Sequence, residues 1–306
     1  MLSIIIPAYN EEEVLDEFYR RITSVLDKNS LPYELVFIND GSRDNTLNLL
    51  ERLNSQDERV VIIDLSRNFG KEIAVSAGID FARGDAVIII DADLQDPPEL
   101  IPELVKQWQN GYDNVYARRT SREGESTLKK TTSYLFYRFI RAMTHIDIPI
   151  DTGDFRLLSR RAVDALKQLP ERNRFMKGLY SWIGYSAIAV DYRRDPRYAG
   201  ETKWNYWKLW NFALEGIASF TEIPLKLASY VGGFIAFIAF FYGIYIIIDT
   251  AVFGNDVAGY PSLIVTILFL GGIQLIFIGI LGEYLGRAFS EIKQRPLYLV
   301  NKIIKR

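Results

Sequence analysis

Two long stretches without a single charge, Leu227 to Ile248 and Val257 to Gly282, constrain this chain more than any other feature in it. An α-helix rises about 1.5 Å per residue, so roughly 20 apolar residues cross a hydrocarbon core about 30 Å thick. Both stretches are long enough. They predict two membrane-spanning helices, and the alternative is a pair of unusually long buried core helices. The flanks give an orientation. The loop Asp249 to Tyr260 carries Asp249 and Asp256 and no Lys or Arg, whereas the last residues include Arg287, Lys293, Arg295, Lys302, Lys305 and Arg306. The positive-inside bias assigns the basic tail to the cytoplasm and the loop to the outside, so the N-terminal portion is expected in the cytoplasm as well. Met1-Leu2-Ser3 has no basic flank and Pro7 interrupts the first apolar run, so no signal peptide is expected.

The 306 residues contain 36 Lys and Arg against 38 Asp and Glu, a formal net charge of -2. A protein that coats nucleic acid would carry a basic excess, so that class loses support. With no cysteine there is no disulfide framework, thiolate zinc site or cysteine nucleophile. A single His145 removes multi-histidine metal sites and leaves no ready base for a Ser-His-Asp triad.

Ahead of the apolar stretches, short β-rich runs alternate with amphipathic ones. Strands are expected at Ser3 to Ile6, Glu34 to Ile38, Val60 to Ile63, Ala86 to Ile90 and Asn114 to Ala117. Helices are expected at Glu11 to Leu26 with Asn10 as cap, Asp44 to Leu53, Lys71 to Phe81 and Glu99 to Trp108, the last opened by Pro97-Pro98. Further on, Ser126 to Met143 reads as a helix, Asp151 to Arg156 as a polar turn, and Trp204 to Phe212 as an aromatic helix in the membrane interface. Strands apolar throughout and separated by helices indicate an α/β fold with a mostly parallel sheet covered on both faces. Its binding site should lie beyond the carboxyl ends of the strands. Those ends read Pro7 to Glu11, Asn39-Asp40-Gly41-Ser42 and Asp91-Ala92-Asp93. No G-x-G-x-x-G follows a strand and no Walker-type sequence occurs, which speaks against dinucleotide oxidoreductases and P-loop NTPases.

Asp91 and Asp93 carry the chemistry. Two carboxylates flanking one residue after a buried strand suit a hard cation, Mg²⁺ or Mn²⁺, with positions left for diphosphate oxygens. Such a cation would neutralise charge developing on a leaving nucleoside diphosphate. The basic stretch Arg118, Arg119, Arg122, Lys129 and Lys130 reads equally as a solvated loop or as a clamp for anionic phosphates.

The set Ile5 to Glu11, Asn39 to Ser42, Asn68-Phe69-Gly70-Lys71 and Asp91 to Glu99 resembles family 2 glycosyltransferases. More narrowly it is similar to the polyprenyl-phosphate glycosyltransferases, which include dolichyl-phosphate mannose synthases and bacterial undecaprenyl-phosphate sugar transferases. The two terminal spans bring the bacterial glucosyl and aminoarabinosyl branch nearest. The resemblance implies a GT-A fold and an inverting transfer of a hexose from a nucleotide sugar to a polyprenyl phosphate. Glucose from UDP-glucose is the expected donor, with mannose, N-acetylglucosamine and formyl-aminoarabinose left open. The same resemblance lays Pro7, Tyr9 and Glu11 along the nucleotide, Asp40 near its base and ribose, and Gln95 near the sugar. It gives Asp91 and Asp93 the metal and diphosphate, and Asp154 an acceptor-side role. Arg197 and Lys203 belong to its basic motif near the lipid phosphate, with Arg118 and Lys129 as further contacts. Thr202 stands where Ser is commoner in that motif, and the Q-x-x-R-W signature of processive synthases is missing. The rival reading from another class is a non-catalytic membrane partner that binds nucleotide sugar.

The expected plan is a cytoplasmic catalytic domain over 1–200, an amphipathic juxtamembrane segment over 201–226, spans at 227–248 and 257–282, and a basic cytoplasmic tail over 283–306. The resemblance places such a protein in a bacterial plasma membrane, and small residues along the second span suggest a homo-oligomer.

Overall fold

The computed structural model describes residues 1–120, 149, 152–172, 174–193, 223–253 and 259–306. They fall into two units: Met1–Gly216 together with Arg295–Arg306, and Ile217–Gln294.

The first unit is built on β1 (Leu2–Ala8), β2 (Tyr33–Asn39), β3 (Val60–Leu65) and β4 (Ala86–Ile89), nearly continuous apolar runs as a sheet covered on both faces requires. Between them run α1 (Leu15–Lys28), α2 (Thr46–Gln56) and α3 (Lys71–Phe81), and after β4 a 3₁₀ turn at Pro98–Leu100 leads into α4 (Ile101–Gln109). Then follow β5 (Asn114–Arg119), β6 (Thr152–Ser159), α5 (Arg160–Lys167), α6 (Met176–Trp182), β7 (Ala187–Tyr192) and, from the far end of the chain, β8 (Val300–Ile304). Among the described residues the strands make one sheet in the order β7-β5-β6-β4-β1-β2-β3-β8. All run one way except β6 and β8, so the mostly parallel α/β sheet expected of a GT-A fold is present. Phe18, Ile22 and Leu26 line one face of α1 and bury against the sheet, where Phe18 meets Phe37 edge-on with ring centres 6.4 Å apart.

Two local expectations fail. Asn10 caps no helix: it sits at φ 54°, α1 starts only at Leu15, and its side chain serves a neighbouring loop instead. The stretch Asp151 to Arg156 is not a turn. From Thr152 onward it is β6, buried along its length and inserted antiparallel between β4 and β5. Its first half reads polar because its partners are supplied by strands more than 30 residues away, which a local reading cannot weigh. The expected helix over Ser126 to Met143 and the aromatic segment over Trp204 to Phe212 lie outside the described residues.

The second unit is a pair of helices, α7 (Ile223–Phe253) and α8 (Tyr260–Ile292), of 31 and 33 residues, longer than the uncharged runs that announced them. Neither is a core helix. The apolar windows Leu225–Tyr242 and Phe269–Ile292 bury nothing within the protein, and Phe234, Phe240 and Leu275 stand exposed. By length and composition each can cross a bilayer. The segment read as a basic tail does more than its charge suggested, since Val300–Ile304 returns as the edge strand of the sheet.

Candidate active site

The loops after β1, β2 and β3 are laced to one another. The Asn10 N–H donates to Ser42 Oγ (3.0 Å), the Asn10 side-chain carbonyl accepts from the Arg43 N–H (2.9 Å), and the Glu11 N–H donates to Thr46 Oγ1 (2.9 Å). Asp40 accepts from the N–H groups of Phe69 (2.7 Å) and Gly70 (2.9 Å). Burial pushes its carboxyl above the usual carboxylate range, against the pull of those two donors. Only glycine suits position 41. Its φ is 64°, and a Cβ there would lie 2.4 Å from the Arg67 carbonyl carbon. Pro7, Tyr9, Glu11 and Asp40 are thus held on one edge of the sheet, at the carboxyl ends of β1 and β2.

Beyond β4 the chain turns through Leu94 at φ 59°, and Asp93 Oδ1 accepts from the N–H of Gln95 (3.1 Å). Asp91 is tied to β6 by a cation. Lys71 Nζ lies 2.7 Å from Asp91 Oδ2 and 2.7 Å from Asp154 Oδ2. Enclosure opposes the ammonium charge, but Asp154 and Asp91 overcome this and hold the Lys71 pKa well above its ordinary value. Burial likewise opposes ionisation of Asp154, yet Lys71 and Lys177 outweigh it and keep that carboxyl below the usual range. Burial raises Asp91, with Lys71 working the other way. Glu72, the next residue, is pushed up to about 8 by burial and by the charge of Asp154. One carboxylate stays ionised while its neighbour tends to hold a proton. Arg156 lies over the Tyr180 ring at 3.8 Å, and three buried polar atoms nearby, Asp154 Oδ1, Arg156 Nε and the Tyr180 hydroxyl, have no partner. Native interiors leave few such atoms, and those at a site commonly await a ligand or water.

The donor set suits a hard divalent cation. Asp91 and Asp154 already flank a positive charge, Asp154 has an oxygen to spare, and Asp93 stands two residues from Asp91. Among the described residues no three carboxylate or imidazole groups converge as a ready cage, so oxygens from a ligand would complete the coordination.

Of the basic residues singled out in the sequence, Arg122, Lys129, Lys130, Arg197 and Lys203 lie outside the described residues. Arg118 is on β5, where its Nε and Nη2 donate to Asp191 of β7 at 2.6 and 3.0 Å. Successive residues of a strand face opposite ways, and it is half-buried Arg119 that turns toward the site. It donates to the Tyr192 hydroxyl (3.2 Å), which donates to Asp96, and its charge faces Asp96 and Asp91. Gly153 makes room, since a Cβ there would approach Arg119 Nη2 to 3.0 Å. Sequence reading gave no role to Lys71, Glu72, Arg156 or Tyr180. One signal was present for Lys71: a cation on the first residue of a helix opposes the macrodipole, a local conflict that marks function.

Residues 3–167, more than half of the chain and all the loops just described, match the family model for glycosyl transferase family 2. The chain belongs to that family. Residues 223–288, nearly all of α7 and α8, match a model described as the GtrB C-terminal hairpin. A Synechocystis sp. protein named as an uncharacterized glycosyltransferase, sll0501, is 56% identical over 302 residues, covering 99% of this chain and 95% of that one. The prophage bactoprenol glucosyl transferase homolog of Escherichia coli K12 is 49% identical over 304 residues, 99% of both chains. The bactoprenol glucosyl transferase of Shigella phage SfII is 50% identical over 301 residues, 98% of this chain and 97% of the other. In this glycosyltransferase the Asp91–Lys71–Asp154 cluster and Asp93 therefore lie inside the family domain, and the two apolar helices lie almost entirely inside the hairpin match.

Proposed function

We propose that this glycosyltransferase moves glucose from UDP-glucose to a polyprenyl phosphate such as undecaprenyl phosphate, at the cytoplasmic face of a bacterial plasma membrane. The observation that carries the reading is the Asp91–Lys71–Asp154 cluster at the strand ends of a chain that also bears two exposed apolar helices. Near-full-length similarity to bactoprenol glucosyl transferases supports the sugar and the acceptor class. The nucleotide lies along Pro7, Tyr9, Glu11 and Asp40, with Gln95 near the sugar. Asp91 and Asp93 would hold Mg²⁺ or Mn²⁺, which supplies Lewis-acid neutralisation of the diphosphate. Lys71 keeps Asp154 ionised, so Asp154 orients the acceptor.

A phosphate monoester has a second pKa of about 6 and is largely dianionic near neutrality. Its oxygen can attack the anomeric carbon without a strong base, so positioning and charge neutralisation dominate. Arg118, Lys129, Arg197 and Lys203 draw the lipid phosphate in, with half-buried Arg119 on the site side of β5. A single in-line displacement turns an α-linked donor into a β-linked product. A polyprenyl chain cannot leave the bilayer cheaply, each CH₂ being worth about 0.8 kcal/mol, so transfer occurs close to the membrane. Both termini are cytoplasmic in this reading, and the open faces of Gly271, Gly279 and Gly286 on α8 support a homo-oligomer.

The test is transfer of labelled glucose into organic-extractable lipid by the full chain. Asp91→Asn and Asp93→Asn are expected to lower kcat by at least about 10²-fold, the scale of removing one preorganised charge-stabilising group, with far-ultraviolet circular dichroism unchanged. Near-normal, metal-independent turnover in both variants, or an α-linked product, would overturn the reading. Nucleotide-sugar binding by the wild type without turnover would favour the non-catalytic partner.

A further inference from the structure

After α8 the chain returns to the sheet as β8, lying antiparallel on β3 with Ile62 opposite Ile304, Ile63 opposite Ile303 and Asp64 opposite Lys302. Side contacts seat it: the Ser66 N–H donates to the Leu299 carbonyl (2.9 Å), the Tyr298 hydroxyl to Asp80 (2.8 Å) and Lys302 to Glu51 (3.3 Å). The register then skips. The next pair is Leu65 with Val300, which leaves Asn301 as the extra residue of a bulge. A bulge re-aims the side chain it carries, and Asn301 Nδ2 donates to Asp64 Oδ2 at 2.7 Å.

Asp64 is a buried carboxylate in the interior of the sheet edge, 4% exposed. Its other oxygen accepts from Asn39 Nδ2 at 2.7 Å. The Asn39 carbonyl oxygen in turn accepts from the Ser42 N–H (3.3 Å), and Ser42 Oγ accepts from the Asn10 N–H (3.0 Å). An unbroken line of hydrogen bonds therefore leads from an exposed tail residue, through β3 and the end of β2, into the turn holding Asp40 and on to the loop after β1. Removing the Asn301 donor costs this buried carboxylate one hydrogen bond, and the Asn39 amide shares that carboxylate.

We propose that Asn301 is a positioning residue for the donor: acting through Asp64 and Asn39, the strand beyond the hairpin holds the Asn39-Asp40-Gly41-Ser42 turn in its nucleotide-binding shape. The hairpin and tail then contribute to donor affinity as well as to attachment. This rests on the reading above that the nucleotide lies against Asp40.

The experiment uses the full chain in lipid nanodiscs, with UDP binding by calorimetry and separate KM values for UDP-glucose and lipid phosphate. Asn301→Leu, which removes the donor at similar size, is expected to weaken UDP binding and raise the UDP-glucose KM about tenfold, equivalent to about 1.4 kcal/mol. Its kcat and lipid-phosphate KM should stay within about twofold, and Asn301→Gln, which keeps an amide donor, should recover most of the loss. Lys302→Ala removes the Glu51 pair without touching the relay and should leave the UDP-glucose KM unchanged. Should the leucine variant not fold, Asn301→Ala is read in the same way. Unchanged UDP affinity in Asn301→Leu, a parallel rise in both KM values, or an equal effect of Lys302→Ala would overturn the relay. Asp40→Ala separates the two ideas: if it weakens UDP binding and Asn301→Leu does not, the relay alone fails, and if Asp40→Ala changes nothing, the nucleotide placement fails and takes the relay with it.

Discussion

Phe37 and Phe237 are the same side chain in opposite surroundings. Phe37 is fully buried in the sheet unit, packed edge-on against Phe18, whereas Phe237 stands 61% exposed on α7 with Phe241 4.6 Å away on the same helix surface. In the sheet unit apolar residues are inside and the polar ones gather at strand ends, where they form the site. In the hairpin unit the order is reversed, with Phe, Ile and Leu outward along both helices. A surface of that kind is unstable in water and ordinary in hydrocarbon. One chain thus presents two kinds of surface, and the identity of a residue matters less than the surroundings its position faces.

The strongest way to break this contrast is truncation at the two phenylalanines. Phe37→Ala is expected to destabilise the catalytic unit by about 3–5 kcal/mol in urea unfolding. Phe237→Ala should leave that transition within about 0.5 kcal/mol. Equal costs would mean that the hairpin face is covered by protein. A charge is the next probe. Phe237→Arg should disfavour insertion by about 2.5–3.5 kcal/mol, read as loss of carbonate-resistant membrane protein. Phe253→Arg, at the end of α7, should be tolerated because a long cation there can reach the interface. Equal behaviour of the two would contradict a spanning helix.

The smallest effect sharpens the sheet side. Glu72 holds its proton up to about pH 8 in the folded protein, against about 4.3 for an unperturbed glutamate. Between those values the folded state binds a proton that the unfolded chain releases, so this group makes stability fall as pH rises from about 4.3 to about 8. Glu72→Gln should flatten that part of the thermal-midpoint profile by comparison with wild type. Parallel profiles would show that Glu72 ionises normally beside Asp154.

The parts of this molecule that were legible in the sequence are those with short-range causes. Ile4, Ile5 and Ile6 make a buried strand because a continuous apolar β-branched run has few other uses, and the two long apolar helices follow from length without charge. The Asp91 and Asp93 spacing was visible because both residues follow one strand. Three features were not visible, and each depends on partners far away in the chain. Thr152 to Ser159 is a strand because β4 and β5 offer edges on either side, whatever its polar first half prefers. Lys71 joins Asp91 to Asp154 across 20 and 83 positions, and nothing in a helix-opening lysine names those carboxylates. Asn301 reaches Asp64 only because β8 docks with a bulge. Periodicity and charge fix which segments are apolar and which medium each can face. Register, bulges and the meeting of distant charges come from packing, where a shift of one residue would send Asn301 elsewhere and dissolve the contact.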